Sequence, residues 1–97
     1  MKAIAKYSLF LTALLLLISC AAGSKAEKKD QALMIDEHFQ LAYDAAARGN
    51  LEEAAREYQK VLELDSKNAK AHLNLGIVYG RQEKWKKEIS QYEKAID

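Results

Sequence analysis

The chain has 97 residues, with 15 Lys and Arg against 14 Asp and Glu, no proline and a single cysteine. A formal charge of +1 is too balanced to point to nucleic acid, and one cysteine excludes an intramolecular disulfide. Redox compartment therefore cannot be read from cysteine pairing. At the N-terminus Lys2 and Lys6 make a positive start, and residues 7–18 follow as an apolar run in which only Tyr7, Ser8 and Thr12 carry hydroxyls. Twelve residues are too few to span a bilayer core of ~30 Å and suit the hydrophobic region of a secretory signal.

Ordinary secretory signals close on a small-x-small cleavage site, whereas this one closes on Leu17-Ile18-Ser19-Cys20. That tetrapeptide, after a matched basic start and apolar run, resembles the lipobox of bacterial lipoproteins. The resemblance implies a signal peptide over residues 1–19, a diacylglycerol thioether on Cys20, and acylation, palmitate-like, of the amino group that cleavage frees. Thiolate chemistry explains why cysteine stands there, and two or more acyl chains anchor a protein where one does not. In families with this signal, Asp after the lipidated cysteine favours retention at the inner membrane. Ala21 here implies the outer membrane, facing the periplasm, in a bacterium with two membranes. An uncleaved anchor, or a free cysteine after an apolar stretch, is the alternative.

Removing residues 1–19 takes away Lys2 and Lys6 and leaves 13 basic against 14 acidic residues. Residues 20–34 then comprise the lipidated cysteine and a tether carrying Gly23, Ser24, Lys25, Glu27, Lys28, Lys29 and Asp30. So little apolar content predicts a flexible, solvated segment.

From Ile35 onward the pattern is helical. Leu41, Ala42 and Ala45 stripe a first helix; Leu51, Ala54, Ala55, Tyr58, Val61 and Leu62 a second; Leu75, Val78 and Tyr79 a third; Trp85, Ile89, Tyr92 and Ile96 a fourth. Gly49-Asn50 breaks the first pair, since glycine takes the left-handed conformation after a helix end. Asp65-Ser66-Lys67-Asn68 separates the pairs and offers N-caps.

The two pairs repeat with a period of 34. His38 returns as His72, Leu41 as Leu75, Ala42 as Gly76, Ala45 as Tyr79, Leu51 as Trp85 and Tyr58 as Tyr92. This resembles the tetratricopeptide repeat (TPR), a helix-turn-helix unit, with a first unit over residues 35–68 and a second over 69–97. The resemblance implies an all-α fold of antiparallel helix-turn-helix repeats, a solenoid of about two units with the second incomplete. There are departures. Ser66 stands for the closing proline, Glu83 for the turn glycine of the second unit, and Glu88 for a small alanine, which predicts strain at Glu83 and a splayed second unit. The sequence stops about five residues short of a second full repeat, and such repeats usually need three units and a cap. Self-association, a partner supplying a helix, or a shortened copy of a longer protein would each account for that.

By analogy with the family, Asp36, Phe39, Tyr43, Ala46 and Ala47, then Lys70, Leu73, Ile77, Gly80 and Arg81, face the concave groove. Phe39 with Tyr43 and Leu73 with Ile77 are i,i+4 pairs. They form an apolar strip rimmed by Lys70 and Arg81, suited to an amphipathic helix or extended peptide. Alternatively, the strip packs against a second copy or against the residues before Ile35. Lysine and asparagine, which clamp a C-terminal carboxylate in one TPR subclass, are absent where Phe39 and Tyr43 stand.

An enzyme is not expected. No Gly-rich phosphate loop and no Ser/His/Asp or Cys/His arrangement occurs. His38 and His72 sit at equivalent repeat positions and read as packing residues before metal ligands, so no metal and no cofactor beyond a lipid on Cys20 is expected. The sequence thus predicts a membrane-anchored adaptor that binds an envelope protein or peptide through its groove. The arrangement resembles that of pilotins and outer-membrane assembly factors, which carry more repeats. The runner-up is a structural, self-associating envelope lipoprotein or a truncated paralogue with no foreign client.

Overall fold

The computed structural model describes the backbone of residues 2–97 and the side chains of residues 25–97. The described residues form four helices and no strand: α1 (Lys2–Ala47), α2 (Leu51–Leu64), α3 (Ala69–Arg81) and α4 (Trp85–Ile96). The chain divides into two units, residues 1–31 and residues 32–97. Among the described residues no helix is long and apolar enough to cross a membrane. The signal peptide over residues 1–19 and lipidation at Cys20 concern side chains outside the described set.

The tether expected over residues 20–34 is corrected in one respect. Residues 25–34 are solvent-exposed, but their backbone belongs to α1. Low apolar content removes a buried face and leaves backbone propensity to decide. A proline-free stretch of Ala, Lys, Glu and Gln favours helix even where nothing packs on it.

The core lies where the second unit's helices meet. Ala42 and Ala45 of α1, Ala54, Ala55 and Tyr58 of α2, and Leu75, Val78 and Tyr79 of α3 form one buried cluster, with Phe39, Ala46, Leu51 and Leu62 packed against its edge. Small residues dominate the α1 and α2 contribution, so those helices approach closely. In the second hairpin Gly76 serves the same end. A Cβ placed there would come within 2.6 Å of the Tyr92 ring, so the tyrosine of α4 packs directly on the α3 backbone.

Both hairpins turn through the same hydrogen-bond pattern. After α1, Gly49 N–H bonds Ala46 O at 3.0 Å and Asn50 N–H bonds Ala45 O at 2.8 Å. After α3, Glu83 N–H bonds Gly80 O at 3.0 Å and Lys84 N–H bonds Tyr79 O at 2.9 Å. Each is a Schellman closure, which requires a left-handed residue just beyond the helix. Gly49 supplies it at φ 80° and Glu83 at φ 60°. Glutamate has a Cβ that resists this conformation, so the second turn carries the strain the sequence predicts. Between the hairpins, Asn68 caps α3 by accepting a bond from Ala71 N–H at 3.0 Å.

Glu88, by contrast, does not force the second hairpin apart in the way its size suggests. Its carboxylate lies over Gly80, where a Cβ would meet Glu88 Oε1 at 2.7 Å. The equivalent pair one repeat earlier is Ala46 and Ala54, so bulk added on α4 is matched by bulk removed from α3. Tyr92 O–H then donates to Glu88 Oε1 at 3.1 Å. Burial and the adjacent carboxylate both hold the Tyr92 phenol above its usual pKa.

Strain confined to one residue makes a direct expectation. Glu83→Gly raises stability by about 1 kcal/mol, and Gly49→Ala lowers it by about the same or more. Urea unfolding of the two variants beside the parent chain, followed by circular dichroism, checks both signs.

Candidate functional site

α1 and α3 lie side by side, and two contacts fix how. Arg81 reaches from the end of α3 to donate from its guanidinium to Ala46 O at 3.0 Å. At the other end, the Lys70 ammonium sits over the Phe39 ring, 5.4 Å from its centroid, an attractive cation–π geometry. Between these bridges Tyr43 of α1 and Leu73 and Ile77 of α3 are all exposed. The structure therefore brings Phe39, Tyr43, Lys70, Leu73, Ile77 and Arg81 onto one surface formed by two helices.

The six are not equivalent. Phe39 is half-buried and meets Tyr58 edge to face, ring centroids 5.8 Å apart and planes inclined by 71°, so it supports the core from the inner side of that surface. Tyr43, four residues on, stacks on no ring among the described residues and is exposed. The i,i+4 spacing sets both on one helix face, but only the tertiary contact shows which of them Tyr58 engages. Arg81 is spent partly on a backbone carbonyl, and Gly80 lies beneath Glu88 and faces α4.

Behind the groove, the two histidines are tied to different helices by one repeated device. His38 Nδ1 lies 2.6 Å from Glu57 Oε2, joining α1 to α2. His72 Nδ1 lies 2.7 Å from Gln91 Oε1, joining α3 to α4, and its Nε2 donates to Ser66 O at 2.8 Å. Glu57 and Gln91 are themselves one repeat apart. Each histidine thus bonds across its own hairpin, and among the described residues no group of three or more potential ligands gathers around a metal position. Position 57 escaped the sequence reading because its pairing is visible only once residues 38 and 57 share a seam. The period of 34 applied to position 91 would have flagged it.

Glu57 is buried, which by itself pushes its pKa up. Hydrogen bonds from His38 and from Lys60 Nζ, at 3.0 Å, outweigh that and hold the carboxyl below its usual value. Tyr58 shows the opposite balance: burial raises its phenol, and the bond with Asn74 offsets this only in part. A cleft of about 870 Å³ opens on the far side from the groove, with Ser66, Lys67, Gln91 and Lys94 about its mouth and Leu75 and Tyr79 at its base. Gln59 crosses toward its floor and donates to Tyr79 Oη at 2.8 Å.

Because Glu57 has a lowered folded pKa, its contribution is complete above the unfolded value of roughly 4.3 and is lost as pH falls through that value toward the folded one. Glu57→Gln, which copies the residue at position 91, flattens this acid limb. Urea midpoints of parent and variant should differ more at pH 6 than at pH 3.

The TPR repeat family model matches residues 42–83, a stretch that runs from the last turns of α1 through α2 and α3 to the strained turn at Glu83. No curated protein matches the chain. The match covers both the small-residue helix contact and the inter-repeat α2–α3 seam on which the four-helix fold is built. The chain is a TPR-containing protein with an all-helical repeat fold.

Proposed function

We propose that this protein is a lipid-anchored adaptor of the bacterial cell envelope, held to the membrane through Cys20 and binding a protein or peptide partner in the α1–α3 groove. TPR repeats as a class serve protein–protein interaction and are typically non-catalytic, which supports the interaction role. The observation that carries the groove assignment is the exposure of Tyr43, Leu73 and Ile77 on two adjacent helices, between the Lys70 and Arg81 bridges. Exposed apolar side chains gathered in this way mark an interaction surface more often than scattered ones do. An amphipathic helix or extended segment with an acidic end suits an apolar floor with a cation at either limit.

The membrane part of the reading rests on the basic start, the short apolar run and Leu17-Ile18-Ser19-Cys20. Anchoring raises the effective concentration of the groove near an envelope partner, so modest affinity is enough for recruitment. Ala21 after Cys20 favours the periplasmic face of the outer membrane within this reading.

Two measurements separate the halves of the proposal. Radiolabelled palmitate should enter the parent chain and not Cys20→Ser, and the variant should leave the membrane fraction; equal labelling would remove the anchor. For the groove, Tyr43→Ser with Ile77→Ser is preferable to any change at Phe39, whose ring supports Tyr58. In-cell crosslinking should yield a distinct envelope protein that the double variant loses while keeping parental helicity. Unchanged recovery from that variant would remove the groove assignment.

A further inference from the structure

The period of 34 allows α4 to be compared with α2 residue by residue. Leu51, Ala55, Tyr58 and Leu62 of α2 belong to or pack against the core cluster that α2 shares with α1 and α3, with Ala55 and Tyr58 only 8% and 3% exposed. Their counterparts on α4 are Trp85, Ile89, Tyr92 and Ile96. Trp85 is 58% exposed, Ile89 57% and Ile96 85%, and α4 has no buried residue at all. Beside this stripe an apolar cavity of about 600 Å³ opens between α3 and α4, lined by Ala69, Lys70, Leu73, Tyr92, Ala95 and Ile96. Among the described residues nothing covers either feature.

We infer that the α4 stripe is a two-fold interface with a second copy of this chain, formed by antiparallel packing of α4 on α4. The stripe is complementary to itself when reversed. Trp85 of one copy then faces Ile96 of the other, and Ile89 faces Tyr92; the residue numbers in each facing pair add to the same total, which is the condition for a closed two-fold register. Large and medium side chains alternate across the seam, and Trp85 arrives beside Ile96 at the mouth of the apolar cavity. A buried tryptophan filling such a recess is a strong anchor.

Charge along one edge of the stripe agrees with this register. The advance of 3.6 residues per turn puts Lys86, Glu93 and Asp97 on the same edge of α4. None of the three forms an ion pair among the described residues. In the reversed register, Lys86 of each copy falls between Glu93 and Asp97 of the other, one basic group against two acidic ones at both ends of the seam. A parallel pairing would instead turn this edge away from its copy and lose these contacts. Opposed charges at the margin of an apolar helix seam set partner and orientation.

Head-to-tail stacking of copies, with α1 of one on α4 of the next, is a poorer fit. It would mimic α3 on α2, where Ala71 and Val78 are 0% and 2% exposed. The equivalent positions on α1 are Glu37 and Asp44, both exposed, and burying two carboxylates there without partners is costly. The α1 face that would stack thus carries two carboxylates beside exposed Leu41, whereas the α4 stripe is apolar throughout. Four side chains from each copy make a seam at the small end of stable interfaces, so the dimer forms at concentrations on the order of micromolar. The α4 stripe shares no residue with the α1–α3 surface, although the cavity at its end is lined in part by Lys70 and Leu73 of that surface.

Sedimentation equilibrium of the full chain in density-matched detergent tests the inference, with fluorescence of Trp85, the sole tryptophan, as a second readout. The expected result is a mass rising from one chain to two with concentration, accompanied by a shift of emission to shorter wavelength. Lys86→Glu alone, and Glu93→Lys with Asp97→Lys, each raise the dissociation constant ~10-fold or more by opposing like charges. An equimolar mixture of the two variants regains parental pairing, since both ends of the mixed seam are then complementary. Ile89→Lys, at an exposed position, abolishes pairing while helicity is retained. A one-chain mass throughout, pairing indifferent to these changes, or masses climbing past two chains would overturn the two-fold α4 interface.

Discussion

Close approach of neighbouring helices is the constraint on which the rest of this structure depends, and it is met by the smallest side chains in the chain. Ala42, Ala45 and Ala54 are wholly buried, and Gly76 and Gly80 leave room that a single methyl group would fill. Dispersion and burial then accumulate around Tyr58, whose ring meets Phe39 edge to face, and Tyr92, whose ring lies over the backbone at Gly76. The shared α1–α3 surface is a by-product of the same geometry. Once α1 and α3 are set side by side by their contacts with α2, the residues on their outer faces must share a surface.

The two hairpins are one design carried out with different chemistry. A histidine crosses each hairpin, meeting a carboxylate in the first and an amide in the second. A left-handed residue closes each first helix, glycine in one and glutamate in the other. A small residue on one helix meets its counterpart on the other, with the bulk moved across the contact in the second hairpin. Geometry is preserved in each case while charge and strain are not, so the units differ in what they tolerate although their backbones follow the same course.

Much of this was legible in the sequence because the period of 34 aligns residues whose roles are set by packing. The four helical stripes, the turn at Gly49-Asn50, the cap at Asn68 and the left-handed strain at Glu83 follow from side-chain size, φ preference and hydrogen-bonding capacity, all local properties. The helical backbone over residues 25–34 was not, because with no apolar face to read, the balance between coil and helix turns on small propensities. Nor was the division of labour between Phe39 and Tyr43, which share a helix face; only the position of Tyr58 on a neighbouring helix tells them apart. Compensation of Glu88 by Gly80 likewise required knowing which two positions meet.

Stability in a stack of repeats is a sum over adjacent contacts, and an element at the margin belongs to fewer of them. α4 packs on α3, follows the strained turn at Glu83 and has no buried residue. In a single copy, with no second helix on α4, its amide protons are accordingly protected by the weakest opening free energy of the hairpin helices, and exchange with solvent proceeds inward from α4. Local melting of α4 would free Glu88 and Tyr92 together and uncover the Gly76–Gly80 face of α3, leaving α2 and α3 still joined. The chain thus has a built-in order of disassembly, written in which glycines lie under which side chains.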